Sequence, residues 1–133
     1  MDPGTYTLLV ELDEPAVIEF GAVGQRSLSP GYYAYTGSAF GPGGLSRVER
    51  HRRVAEGSNE TRQWHVDYLL GADDSRLVSV RTAADRALEC EIAASLDAEP
   101  IPGIGASDCD CDTHLHYRRS RGAMQSVIEA AYE

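Results

Sequence analysis

Two tyrosines, an arginine, a histidine and a glutamate are the residue types in this chain best suited to chemistry on an anionic substrate. Tyr35 lies in a short aromatic stretch, residues 32–36, that runs into a glycine turn and then into a charged segment where Arg47 and His51 stand four residues apart. On a helix that spacing puts both side chains on one face. Tyr6 lies in an earlier stretch of β character. A phenol is a poor base at its free pKa of about 10, and a neighbouring guanidinium favours its phenolate. Arginine grips phosphate through two parallel donors. One carboxylate is enough to hold Mg²⁺, which keeps most of its waters. Such an ion polarises a phosphoryl oxygen and stabilises a leaving oxygen. Glycines at 37, 41, 43 and 44 let a bulky ligand approach the backbone. Together these parts would suffice to hydrolyse a phosphodiester. Each tyrosine taken alone reads first as a core or half-buried residue of a strand, and the basic run 47–53 as a solvated helix face paired to Glu49 and Glu56.

A second group has ligand character. Cys90, Cys109 and Cys111, with His114 and His116, are joined by Asp108, Asp110 and Asp112. A C-x-C followed by H-x-H is compact enough for a zinc site, although it has no C-x-x-C pair and the histidines are closer than in zinc fingers. The alternative is a tight loop whose thiols and imidazoles pack and hydrogen-bond.

The elements that must position these groups follow from periodicity. Residues 4–12 alternate as a strand, with Thr5, Thr7, Leu9 and Glu11 on one side and Tyr6, Leu8, Val10 and Leu12 on the other. A second strand over 16–20 lies in hairpin reach, and 26–29 extends the β region. Residues 32–37 read as the central strand, with Tyr33 and Tyr35 on one side and Tyr32 and Thr36 on the other. Residues 44–55 form a helix with an apolar edge of Leu45, Val48 and Ala55. Residues 63–70 (QWHVDYLL) read as a short helix, 77–81 as a strand, and 84–96 as a helix striped by Leu88, Ile92 and Leu96. Glu99-Pro100 ends that element. Residues 101–116 read as a loop, 115–118 as a last strand and 122–132 as a terminal helix.

The 133 residues fit one domain with a hydrophobic core. No apolar run approaches the length of a membrane span, and the acidic first 15 residues do not read as a secretory signal. Net charge is −9, and arginine supplies all 12 basic residues, with no lysine. An acid-rich, lysine-free surface suits a halophilic cytoplasm of high salt, where self-repulsion is screened. A plain acidic protein that lacks lysine by base composition is the other reading. The acidic total makes the arginine cluster at 47–53 the relevant local charge for any nucleic acid.

Gly4-Thr5-Tyr6 and Tyr35-Thr36-Gly37, followed by Ser38-Ala39 and then R-x-x-x-H at Arg47 and His51, resemble the GIY-YIG nuclease superfamily. Thr5 and Thr36 replace the central residues of its two name motifs. The segment Trp64-His-Val-Asp-Tyr-Leu-Leu70 and the loop Ile101-Pro-Gly-Ile-Gly-Ala-Ser-Asp-Cys-Asp-Cys-Asp-Thr-His-Leu115 are similar to those of a small stand-alone branch of that superfamily. The resemblance spans roughly residues 4–118. It implies a small α/β (α+β) domain with a central three-stranded antiparallel sheet flanked by helices. It also implies a metal-dependent endonuclease acting in DNA repair or processing, with Mg²⁺ or Mn²⁺ as cofactor and Zn²⁺ as a further candidate. Tyr6, Tyr35, Arg47 and His51 would be catalytic. The metal-binding glutamate of the superfamily lies on the helix after the third strand, where Glu91 and Glu89 compete; Glu91 is preferred for its place beside the apolar stripe. Gly37, Ser38, Arg50 and His65 are expected at the substrate. Asp108, Cys109, Cys111 and His114 would form a second metal site or a structural loop, and neither His65 nor Asp67 has a role in the general scheme. An acidic domain of this size holds nucleic acid weakly through phosphate contacts alone, so a homodimer or a protein partner is expected to add affinity. A non-catalytic nucleic-acid-binding module and a small metal-binding regulatory protein are the alternatives.

Overall fold

A computed structural model describes residues 3–20, 24–40, 44–57, 65–72, 74–86, 89–101, 104 and 113–132. Its centre is the antiparallel pair of β1 (Gly4–Leu12) and β4 (Gly31–Ala39), which face each other residue for residue from Gly4↔Ala39 to Leu12↔Gly31. Between them in sequence, β2 (Ala16–Glu19) and β3 (Gln25–Leu28) form a separate hairpin. β5 (Ser75–Ala84) flanks β1, and β7 (Leu115–Arg118) flanks β4. β6, only Glu99–Pro100, closes the far edge against β7. Proline is tolerated there because an edge strand has an N–H to spare.

The sheet thus has five antiparallel strands in the order β5-β1-β4-β7-β6, rather than three. The class is α+β as expected. The strands beyond three are β7, which matches the last strand read over 115–118, and β6, which forms where Glu99-Pro100 is expected to end a helix. The described residues of the stretch read as a loop, Ile101, Ile104 and 113–116, adjoin both. Backbone bonds pin that segment: Ile101 N–H donates to Leu115 O, and His114 N–H to Ile104 O at 2.8 Å.

Strand alternation gives the sheet two buried faces. Tyr6, Leu8, Val10 and Leu12 of β1 join Tyr33, Tyr35 and Ala39 of β4 on the first. Over it lie α1 (Ser46–Glu56) and α2 (His65–Leu70), contributing Val48, Val54, Val66, Leu69 and Leu70. Leu9 and Ala34 face the other way, under α3 (Glu89–Ser95) and α4 (Arg121–Tyr132) with Ile92, Leu96, Met124, Ile128 and Tyr132. α3 is shorter than the helix read over 84–96, because β5 runs on to Ala84. Asp85 then turns with φ +60°, a conformation aspartate accepts better than most residues. α1 ends at Gly57 with φ +83°, whose N–H reaches back to the last carbonyls of the helix. That left-handed cap is a glycine position. No helix among the described residues is long and apolar enough to cross a membrane.

Candidate active site

Tyr6 and Tyr35 alternate onto the face that α1 covers. His51 falls on the inward stripe of α1 with Val48 and Val54 and is fully buried. Its Nε2 lies 2.9 Å from the Tyr6 hydroxyl, with the rings tilted by 48°. On its other side, Nδ1 lies 3.3 Å from Asp67 Oδ1. Asp67 sits on α2 among Val66, Leu69 and Leu70, and its side chain has no exposure. Arg50 reaches it through one nitrogen, Nη1, at 3.1 Å from Oδ1 and 3.0 Å from Oδ2. A chain of four side chains from three elements therefore runs Arg50, Asp67, His51, Tyr6.

Arg47, one turn before His51, donates to the Ser38 carbonyl oxygen and hydrogen-bonds the Tyr6 hydroxyl. Burial holds the Tyr6 proton well above its usual range. Arg47 opposes that by charge and hydrogen bond without overcoming it, and the negative charges of Glu89 and Asp67 add to the rise. The expectation that the guanidinium would favour phenolate is corrected: desolvation is the larger effect. Tyr35 behaves alike, raised by burial and then by Tyr6, Glu89 and Asp67. Both phenols rest protonated.

Gly37 has a different task from the expected one at the substrate. It stands directly opposite Tyr6 across β1 and β4. A Cβ there would lie 2.5 Å from the Tyr6 ring carbon Cζ and from its hydroxyl. The missing side chain makes room for the phenol. Arg50, also expected at the substrate, is turned inward to Asp67, with 15 % of its side chain exposed. Ser38 offers its carbonyl to Arg47. His65 opens α2, and its side chain is outside the described residues.

Of the two glutamates, Glu89 is the one at the cluster. Its charge acts on Tyr6 and Tyr35, and its Oε2 lies 3.8 Å from Nδ1 of the buried His114. Glu91 is exposed, with its backbone carbonyl taken by Ser95 Oγ. The preference for Glu91 is corrected for that reason. α3 begins at Glu89, whose charge reaches the phenols, while Glu91 turns to solvent.

The proposed second site falls mostly outside the described residues, which exclude Asp108, Cys109, Asp110, Cys111 and Asp112. Of its members, His114 is placed against Glu89. His116 is buried two residues on, with its pKa lowered by burial and by His114. Among the described residues no three His, Cys, Asp or Glu side chains gather as a metal cage. Glu89 alone, with 23 % of its side chain exposed at the margin of the cluster, suits an ion that takes one carboxylate and retains water, which is the habit of Mg²⁺.

Asp67 is the participant that residue types alone left without a role. A signal was present: it is an acidic residue set between Val66 and Leu69-Leu70, on what would otherwise be an apolar helix face. Residues 5–133 match the family described as "Domain of unknown function DUF123", and the chain belongs to that family. No curated protein and no solved structure matches it.

Proposed function

We propose that this member of the DUF123 family is a metal-dependent endonuclease that hydrolyses phosphodiester bonds of nucleic acid, DNA above all, in repair or processing in the cytoplasm. The observation that carries the reading is the convergence on one hydroxyl, that of Tyr6, of His51 at 2.9 Å and the Arg47 guanidinium, with the Glu89 carboxylate near enough to act on it. The resemblance to GIY-YIG nucleases, in which these residue types are functional, supports it.

The residues divide the work as follows. Arg47 holds the scissile phosphate and neutralises the charge that builds on it. Tyr6 and Tyr35, held protonated by burial, orient the attacking water by hydrogen bonding. His51 fixes the Tyr6 hydroxyl. Glu89 would hold Mg²⁺ or Mn²⁺, which when bound supplies Lewis-acid stabilisation of phosphoryl and leaving oxygens. The net charge of −9 is the reason to expect a second copy or a protein partner on the nucleic acid.

The test uses labelled single-stranded, duplex, flap and junction DNA at high potassium chloride, with Mg²⁺, Mn²⁺ or chelator. Metal-dependent cutting is expected. Arg47→Ala and Glu89→Gln should lower it by about 10²–10³, and Glu91→Gln should leave it within about twofold. Cutting by Arg47→Ala at the wild-type rate would remove this reading. One observation favours a second one: Tyr6 is only 2 % exposed and His51 not at all, as in a scaffold that binds nucleic acid without cutting it. Binding with no cleavage of any substrate by folded wild-type protein would select that alternative.

A further inference from the structure

A carboxylate without exposure, as in Asp67, has to be matched by partners, because burying an unpaired charge is very costly. Arg50 already supplies a full positive charge, reaching both oxygens. Yet Oδ1 also faces His51 Nδ1 at 3.3 Å, and His51 reaches the Tyr6 hydroxyl with its other nitrogen. The two imidazole nitrogens are not equivalent in this setting. A carboxylate beside Nδ1 favours the proton there and leaves Nε2 with its lone pair towards the phenol. If the proton sat on Nε2 instead, the histidine would donate to Tyr6, and the phenolic hydrogen would point elsewhere.

We infer that Asp67, locked by Arg50, is a positioning residue that holds His51 with its proton on Nδ1, so that Nε2 accepts the Tyr6 hydrogen and serves as its proton acceptor. This rests on the nuclease reading for its catalytic consequence. In the step it serves, the attacking water gives a proton to the Tyr6 oxygen as Tyr6 passes its own to His51 Nε2. The water oxygen bonds to phosphorus, the phosphorus bond to the leaving oxygen breaks, and that oxygen takes a proton from solvent. The imidazolium so formed lies against the Asp67 carboxylate until it returns its proton to solvent. The arrangement has the logic of a hydroxyl–histidine–aspartate triad, with a phenol in the place of the serine. α2 supplies the aspartate, which explains why a short helix carrying one acid among apolar residues is packed against α1.

The experiment reads the tautomer directly, independently of activity. Long-range ¹H–¹⁵N correlation on the full chain in potassium chloride resolves the ring nitrogens of the four histidines, and His51→Gln identifies the His51 signals. The wild type should show neutral His51 protonated at Nδ1. Asp67→Asn should raise the Nε2-protonated population and lower kcat by about 10²–10⁴, with KM within about twofold. A merely structural role for Asp67 would not move the tautomer or split kcat from KM in this way. Wild-type His51 protonated at Nε2 overturns the inference even if Asp67→Asn fails to fold. So does an Asp67→Asn variant that keeps both tautomer and kcat. An Nδ1 proton that depends on Asp67, in a wild type that cuts no substrate, retires the nuclease reading and with it the catalytic step, while establishing the positioning geometry.

Discussion

The two faces of the sheet bury polar groups in opposite styles. Under α3 and α4 the buried hydrogen-bonding groups are neutral hydroxyls, with the half-exposed Arg81–Glu129 pair outside them. Thr7 Oγ1 lies 3.0 Å from Thr36 Oγ1 and 2.8 Å from the Tyr132 hydroxyl, which donates onward to the Arg81 carbonyl at 3.3 Å. Under α1 and α2 the network carries formal charge, with Arg50 and Asp67 behind His51 and Tyr6. Hydroxyls satisfy one another at small cost and knit a fold together. A buried ion pair seldom stabilises more than well-packed apolar residues would. Among the described residues the buried Arg50–Asp67 pair stands beside the phenols and Arg47, and the proposed function gives it the task of orienting them. Under the proposed function the charged network serves the site, and Glu89 joins that site from α3.

Breaking the charged network should cost the most. Arg50→Ala leaves Asp67 buried without its guanidinium, so unfolding free energy should fall by about 3–5 kcal/mol, measured by urea titration at high potassium chloride. A loss below about 1 kcal/mol would mean that the pair is not buried in solution, and the contrast between the faces would go with it. Next comes the packing of the phenol. Gly37→Ala drives a Cβ to 2.5 Å from Tyr6 Cζ. The ring is enclosed and cannot swing away freely, so about 1–3 kcal/mol of overpacking strain is expected, together with loss of the bond to His51. The hydroxyl resonance of Tyr6 and the tautomer of His51 should both change, although no charged group has been touched.

Periodicity made the frame of the site legible and left its wiring obscure. The alternation of 4–12 and 32–37 put Tyr6 and Tyr35 on their strands, and the four-residue step put Arg47 and His51 on one helix. The edge of the sheet was not legible. β6 is two residues long and contains a proline, and a pattern of period two cannot show in two residues. Gly37 was read as room for a ligand because its cross-strand partner depends on the β1–β4 register, which no local pattern states. Glu89 and Glu91 were separable only once the start of α3 was known, since a helix's rotation depends on where it begins. Asp67 needed Arg50 and His51, contributed by another helix 17 and 16 residues earlier in the chain. Its burial is therefore a property of the packing of α1 on α2 and not of its own segment.

The neutral face yields the smallest effect and the sharpest control. Tyr132→Phe removes one hydroxyl from the Thr7 network and should cost about 0.5–1.5 kcal/mol near pH 8. Burial pushes the Tyr132 hydroxyl up to about 12, against the lesser influences of Thr7 and Arg81. An unfolded tyrosine titrates near 10. Between those two values the unfolded chain has released this proton and the folded chain still holds it. The native state then binds more protons, and stability falls as pH rises, by about 1.4 kcal/mol per unit for this group. Below pH 10 that loss is absent. Phenylalanine has no proton to release, so the variant escapes this share of the alkaline loss. The gap between wild type and Tyr132→Phe should therefore narrow from pH 8 to pH 11 and close or reverse there, read by urea unfolding at both values. A gap that stays constant would mean the Tyr132 hydroxyl is open to water, and the second face would lose its claim to a closed, neutral network.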